Sequence, residues 1–138
     1  MMIKNKFKIV LFAMIILSSC NPDDDDTTAT RSDYLGSWQC DEYDQNQTFI
    51  ATFQVNITEH PNSSSRVLID NFNLLGFGVQ AEAVIDNTSI TLPQQSVSGN
   101  SVIGSGFITN KLKTIELQYN IDDGSGQTEN INATYTKI

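Results

Sequence analysis

Few side chains in this chain could carry out nucleophilic, acid–base or metal chemistry. Its 138 residues include two cysteines, Cys20 and Cys40, and one histidine, His60. His60 lies in a Pro/Asn/Ser-rich stretch beside Glu59, whereas a zinc site needs three or four ligands. The sequence also lacks a phosphate-binding glycine loop and a serine nucleophile elbow. We therefore expect a protein that is not an enzyme and that holds no metal or cofactor.

Cys40 and one acidic loop have structural interpretations that need no chemistry. Cys40 fits a small apolar position within a strand, although export would also permit a disulfide with Cys20. The segment 122–129, Asp-Asp-Gly-Ser-Gly-Gln-Thr-Glu, is acidic but lacks the alternating ligands of an EF-hand calcium loop. Its Asp and Gly content predicts a hairpin turn instead.

The N-terminal segment has the features of an export signal. Three lysines precede an unbroken apolar run over residues 9–17, which is too short to span a bilayer. The residues that follow, Leu17-Ser18-Ser19-Cys20, resemble the lipobox of bacterial lipoproteins. That resemblance implies removal of residues 1–19, attachment of diacylglycerol to the Cys20 sulfur, and usually a further acyl chain such as palmitate. Several acyl chains together anchor a protein stably to a membrane.

The charge of the chain excludes nucleic acid as a partner. Removal of Lys4, Lys6 and Lys8 with the leader leaves five of the eight basic side chains against 16 acidic ones, a net side-chain charge of −11. A chain of this sign is repelled by phosphate backbones. The expected attachment to the membrane is therefore through lipid and not through charge.

Residues 20–33 are predicted to form an acidic, disordered tether. They include Pro22 and the run Asp23-Asp24-Asp25-Asp26, and they have no periodic apolar positions. One interpretation of the run is a solvated spacer. The other comes from a resemblance to the surface-export signal of Bacteroidota lipoproteins, which implies display on the outer face of the outer membrane.

The chain from residue 34 to 138 is predicted to be a single all-β domain. In residues 49–57, apolar and polar side chains alternate as in a half-buried strand. Seven further strands are predicted at 36–42, 66–72, 79–86, 89–92, 101–109, 115–121 and 131–136. Pro93 is expected to end the fifth strand before a polar loop at 94–100, and Gly104 and Gly106 to interrupt the sixth. Short connections favour an antiparallel up-and-down meander that closes into a barrel of about eight strands.

The two ends of this domain resemble those of known barrel families. Gly36-Ser37-Trp38 opens the first strand, and a Gly-x-Trp at this point resembles the calycin superfamily of lipocalins and avidins. The Tyr-Leu-Gly-x-Trp start and the Thr-Tyr-Thr-Lys end at 134–137 are similar to those of small lipocalin-like lipoproteins of Bacteroidota. The resemblance covers nearly all of residues 34–138 and implies a small lipocalin/avidin-like barrel with Trp38 as a plug at its base. Lipocalins cover this Trp with an Arg, for which Lys137 is the nearest candidate here.

Two hypotheses about function remain open from sequence. In the first, a monomeric, membrane-anchored barrel binds a small apolar or amphipathic ligand at the cell envelope. The candidate lining residues are Phe49, Phe53, Val79, Leu117, Tyr119 and Tyr135. In the alternative, side chains fill the barrel, and its loops bind a protein or a glycan at the cell surface. An eight-stranded barrel is wide enough for either arrangement.

Replacing Asp23 to Asp26 by Ala tests the surface-export hypothesis. Because the acidic run would be the sorting signal, we expect the variant to stay in the envelope but to lose cell-surface exposure. Protease treatment of intact cells, followed by immunoblotting, measures that exposure, with lysed cells as the control. Unchanged protease sensitivity of intact cells would identify the run as a spacer.

Overall fold

The computed structural model describes residues 28–109 and 111–138. Its strands are β1 (Gly36–Asp44), β2 (Phe49–Glu59), β3 (Arg66–Asp70), β4 (Gln80–Asp86), β5 (Ser89–Val97), β6 (Asn100–Thr109), β7 (Thr114–Asp122) and β8 (Thr128–Lys137). Each strand pairs antiparallel with its neighbours in sequence, and β8 pairs with β1 to close the barrel. The predicted all-β meander that closes into an eight-stranded barrel is therefore confirmed. The predicted leader, Cys20 and Asp23–Asp26 lie outside the described residues.

The meander gives the barrel two distinct ends. The base carries the N-terminal segment 28–35, the loops 60–65 and 87–88, and the β6–β7 turn. The mouth carries the loops 45–48, 71–79, 98–99 and 123–127. The chain therefore enters the described structure at the base.

Alternation along the strands produces the core. In β7, Ile115, Leu117, Tyr119 and Ile121 are buried, while the residues between them are more exposed. A period of two places successive side chains on opposite faces of the sheet, so the barrel takes every second residue inside. The hydrophobic core is formed by these inward residues of all eight strands, together with Phe72 from the loop between β3 and β4.

The strand β5 is longer than predicted. Pro93 does not end it, and the predicted polar loop at 94–100 is largely strand, because β5 extends to Val97 and turns at Ser98 and Gly99 into β6. The pairing register between β5 and β6 shifts between Leu92 and Gln95, which places Pro93 in a bulge. A bulge tolerates proline because the missing N–H is not needed by the ladder there.

Segment 28–35 closes the base, so the folded unit begins before Tyr34. The short helix α1 (Arg31–Tyr34) follows Thr30, whose backbone N–H donates to the Asp33 carboxylate at 2.7 Å. Ala29 is buried and the Tyr34 hydroxyl donates to the Asn87 carbonyl at 2.9 Å. Residues 28–33, predicted as the end of the tether, thus pack on the barrel. Among the described residues, no helix has both the length and the apolar character needed to cross a membrane.

Gly104 and Gly106 lie within β6 and do not interrupt it. Both face the interior, where they pair with Tyr119 and Leu117 of β7. A Cβ on Gly104 would overlap the Tyr119 side chain, and one on Gly106 would overlap the Glu116 carbonyl oxygen and lie 2.8 Å from the Leu117 Cα. The two glycines therefore permit a close approach of β7, as glycines do where a barrel bends sharply.

Gly106→Ala is expected to destabilise the barrel strongly. The added methyl group meets backbone atoms of β7 that cannot rotate away, so we expect a loss of about 3 kcal/mol or more in the free energy of unfolding. Urea denaturation followed by circular dichroism measures it. The matched control is Ser105→Ala on the exposed face of the same strand, for which we expect a change within about 0.5 kcal/mol. Equal stability of both variants would contradict the close approach.

Candidate functional site

The loop between β3 and β4, residues Asn71 to Val79, folds back into the barrel mouth, and we call it the mouth loop. Phe72 is fully buried, and its ring lies 4.7 Å from that of Tyr119. The Asn71 amide fixes the start of the loop, since it donates to the Gln54 carbonyl at 2.8 Å and accepts from the Gly76 N–H at 3.0 Å. The loop therefore covers the interior with a specific, hydrogen-bonded conformation.

Three non-glycine residues of this loop use the left-handed backbone region. Asn71 has φ 59°, Asn73 has φ 52° and Leu74 has φ 55°. Asn tolerates this region because its side chain hydrogen-bonds locally, whereas Leu adopts it at a cost of about 1–2 kcal/mol. The strained Leu74 therefore directly follows Asn73, the loop residue whose side chain contacts the interior.

A carboxylate lies inside the barrel below the mouth loop. Glu42 continues the inward face of β1 after Trp38 and Cys40 and is only 2% exposed. Its neighbours across the sheet, Ala51 and Ala133, are small and leave room for it. The alternation along β1 predicts an apolar side chain at this inward position, because burying a charge is costly.

Two side chains hydrogen-bond Glu42. The Tyr119 hydroxyl donates to its Oε1 at 2.5 Å, while the Asn73 amide nitrogen lies 3.3 and 3.5 Å from its two oxygens and 2.7 Å from the Tyr119 hydroxyl. The first bond is short and strong, and the two bonds from Asn73 are long. Arg31, Arg66 and His60 form ion pairs with other carboxylates, and no described Lys, Arg or His side chain pairs with Glu42.

Burial raises the pKa of Glu42, and the neighbouring Glu129 adds to the effect, while hydrogen bonds from Tyr119 and Asn73 oppose it. Burial and the Glu42 charge also raise the pKa of Tyr119, so that its phenol stays protonated and acts as the donor. A buried carboxylate without a cationic partner is unfavourable for folding, and such groups cluster at functional sites.

Tyr135 and Cys40 lie next to this group on the inner wall. They pair across β1 and β8, and both side chains are fully buried. The Tyr135 hydroxyl has no hydrogen-bond partner among the nitrogen and oxygen atoms of the described residues, and its polar neighbour is the weakly bonding Cys40 thiol. We call Cys40, Glu42, Asn73, Tyr119 and Tyr135 the interior polar cluster.

The mouth is negatively charged throughout. All described Lys, Arg and His residues lie on the base half of the barrel, where they nearly balance the acidic residues there. The acidic residues nearest the mouth include Glu42, Asp44, Asp70, Asp122, Asp123 and Glu129, and no described basic residue lies among them. A depression of about 210 Å³ opens there above Asn73, lined also by Asp123 and Glu129. Such a field concentrates cations at the mouth.

The predicted ligand-lining residues separate into two groups. Phe53, Leu117, Tyr119 and Tyr135 face the interior and are buried, and Val79 is partly buried at the end of the mouth loop. Phe49 is 56% exposed at the start of β2, where its ring lies 5.9 Å from that of Tyr43, so it does not line the interior. A bulge at Ile50 explains its position, since it breaks the alternation from which the inward face was predicted.

The interior around these residues is filled by side chains. Phe72, Tyr119 and Tyr135 are large side chains that are almost completely buried there. Depressions lined by described residues, of about 210 to 460 Å³, are open to solvent. Binding inside the barrel therefore requires the mouth loop to move.

The other residues considered for chemistry lie apart from one another. Burial raises the pKa of the Cys40 thiol inside the barrel, while His60 lies in a base loop with its Nε2 3.6 Å from Glu82. Trp38 is fully buried at the base, where its indole N–H donates to the Tyr34 carbonyl at 2.9 Å and the Lys137 Nζ lies 5.0 Å from its ring.

The segment 122–129 forms a hairpin turn. The Asp122 and Asp123 carboxylates accept from the Gly124 and Ser125 N–H groups at 2.8 and 2.9 Å. Within the described part of the chain, no group of three or more His, Cys, Asp or Glu is placed to hold a metal ion.

Sequence reasoning missed Glu42 and Asn73. Glu42 had a usable signal, because it stands two residues after Cys40 and four after Trp38 on the face predicted to be buried. Asn73 had none, since its contact with Glu42 depends on how a long connection folds.

Comparison with known proteins adds no assignment: no protein-family model matches the chain, and no curated protein matches it.

Glu42→Gln is expected to stabilise the protein increasingly as pH rises. The raised pKa means that the folded chain keeps a proton that the unfolded chain releases above about its ordinary value of 4.5, so stability falls as pH rises through that window. The variant lacks this loss, and we expect a Tm about 4 °C or more higher at neutral pH. Thermal melts from pH 4 to 8 measure the difference.

Asp123→Asn is the matched control for this prediction. Hydrogen bonds from Ser125 lower the pKa of the exposed Asp123, so its charge favours the folded chain as pH rises and any effect has the opposite sign. A difference between Glu42→Gln and the wild type that stays constant from pH 4 to 8 would contradict the burial of an ionisable Glu42.

Proposed function

We propose that this protein is a lipocalin-like lipoprotein, anchored at the outer membrane, that binds a small molecule through the mouth of its barrel. The observation that carries the proposal is the interior polar cluster. A carboxylate that is 2% exposed, with no cationic partner among the described residues, shares the interior with the buried Tyr135 hydroxyl, which no described nitrogen or oxygen atom satisfies. Burying these polar groups does not help to pack a filled barrel. Ligand sites, in contrast, are mostly apolar and contain a few polar groups that point to one place, as these two do.

The mouth loop provides the cover for such a site. It carries a strained Leu74, and its hydrogen bonds to Glu42 are the long ones from Asn73. A connecting loop of this kind opens at lower cost than the strands, which pair with a neighbour on both sides. The lipid anchor at Cys20 and the chain entry at the base leave the mouth free in this arrangement.

A second function is favoured by the apolar side chains around the mouth. Phe77 is 76% exposed and Leu74 is 55% exposed on the mouth loop, and Phe49 and Ile50 are exposed on β2. Exposed apolar side chains near one end of a barrel are typical of protein or glycan contact surfaces. In this alternative the mouth loop is a permanent plug and its outer face is the binding surface.

Native mass spectrometry distinguishes the two functions. Residues 21–138 are exported behind a conventional cleavable leader in the cells that make the protein, purified without detergent and weighed intact. We expect a stoichiometric extra mass on the wild type, lost when the sample is denatured. The Glu42→Gln variant should carry less of it, and the matched control Gln118→Ala, on the outside of the barrel, should carry as much as the wild type.

A bare protein mass in all three samples would contradict binding inside the mouth. Equal occupancy of wild type and Glu42→Gln would place the small molecule elsewhere on the barrel. Loss of cell-surface binding in Phe77→Ser, with all masses bare, would establish the contact-surface function instead.

A further inference from the structure

We propose that the ligand of the interior polar cluster is a small organic ammonium ion, a protonated amine on a compact apolar body. This inference rests on the proposed function, since it names the chemical class for the same site. It starts from the polarity of the groups in the cluster. Glu42 offers acceptor oxygens, and the Tyr119 and Tyr135 hydroxyls offer acceptor lone pairs.

The position of the Asn73 amide marks where the ammonium group would bind. Its nitrogen lies 3.3 and 3.5 Å from the two Glu42 oxygens and 2.7 Å from the Tyr119 oxygen, which is the arrangement of acceptors that an –NH₃⁺ group satisfies. The neutral amide makes two long bonds to a carboxylate there. An ammonium ion at the same point makes charge-assisted bonds, which are shorter and roughly twice as strong.

The buried Tyr135 hydroxyl is an independent observation that points to a ligand. It faces inward beside Cys40, two residues below Glu42 on the inner wall, and has no nitrogen or oxygen partner among the described residues. The Cys40 thiol is a weak hydrogen-bonding group, so the buried hydroxyl is poorly satisfied. Its lone pairs add to the acceptor character of the interior polar cluster.

The negative charge at the mouth favours cationic ligands before they bind. Asp123 and Glu129 line the 210 Å³ depression above Asn73, and no described Lys, Arg or His lies in the mouth half. Anions are repelled from such an opening and cations are concentrated in it. The depression has room for a small organic body, so the ammonium group can reach inward while the apolar part stays in the mouth.

Three probes of similar shape and different charge test the class. The mature lipid-anchored protein in nanodiscs is titrated with 2-phenylethylammonium, 2-phenylethanol or 3-phenylpropionate by calorimetry, and empty nanodiscs provide the reference. We expect the ammonium ion to bind at least about tenfold more tightly than the alcohol, and the carboxylate not to bind measurably.

Two variants with opposite effects separate recognition from folding. Glu42→Gln should reduce the difference between ammonium and alcohol to less than about threefold, since the charge is gone while the hydrogen bond from Tyr119 is retained. Asn73→Gly keeps the left-handed backbone without strain and removes the competing donor, so it should tighten ammonium binding by about threefold or more. Circular dichroism verifies that both variants are folded.

Each other outcome overturns the ammonium class. Binding of the alcohol or the carboxylate as tightly as the ammonium ion would leave a ligand site at the mouth but assign it another chemistry. No binding of any probe at millimolar concentration, to wild type or to Asn73→Gly, would also reject the class. The native masses described above decide independently whether the site binds a small molecule.

Discussion

The limited space inside an eight-stranded barrel determines most of this structure. Large inward side chains fit only where their neighbours are small, and Gly104 and Gly106 of β6 stand opposite Tyr119 and Leu117 of β7. Glu42 has alanines on both adjacent strands. Because interiors are packed close to crystal density, the size of one inward side chain limits the size of those beside it.

The same constraint explains why the barrel is covered and polar at one end. Trp38 and Tyr34 fill the base, so only the mouth half has space for groups other than packed hydrocarbon. Phe72 of the mouth loop fills part of that space, and the remaining part holds the hydrogen-bonded set of Glu42, Tyr119 and Asn73. The hydrogen-bonded set is thus bounded by strands at its sides and by the mouth loop above it.

Alternation predicted the strands and the meander, because inward and outward faces differ in polarity along every strand. It failed where the chain leaves strict alternation. The bulge at Ile50 leaves Phe49 exposed, and the bulge at Pro93 lets β5 continue beyond the proline. The glycines of β6, which the sequence predicts to interrupt the strand, lie within the barrel wall. The candidate site was predicted in part, through Tyr119 and Tyr135. Its remaining members depend on a mouth-loop conformation that local sequence does not determine.

The uneven distribution of charge between mouth and base gives the barrel an electric dipole along its axis. The chain enters at the nearly neutral base, beside Ala29 and Asn87, while the acidic residues without basic neighbours lie at the opposite end. Next to an anionic membrane, within a Debye length of about 10 Å, such a dipole experiences a torque. Its lowest energy has the base toward the membrane and the mouth toward solvent, so the charge distribution of the barrel favours one orientation there.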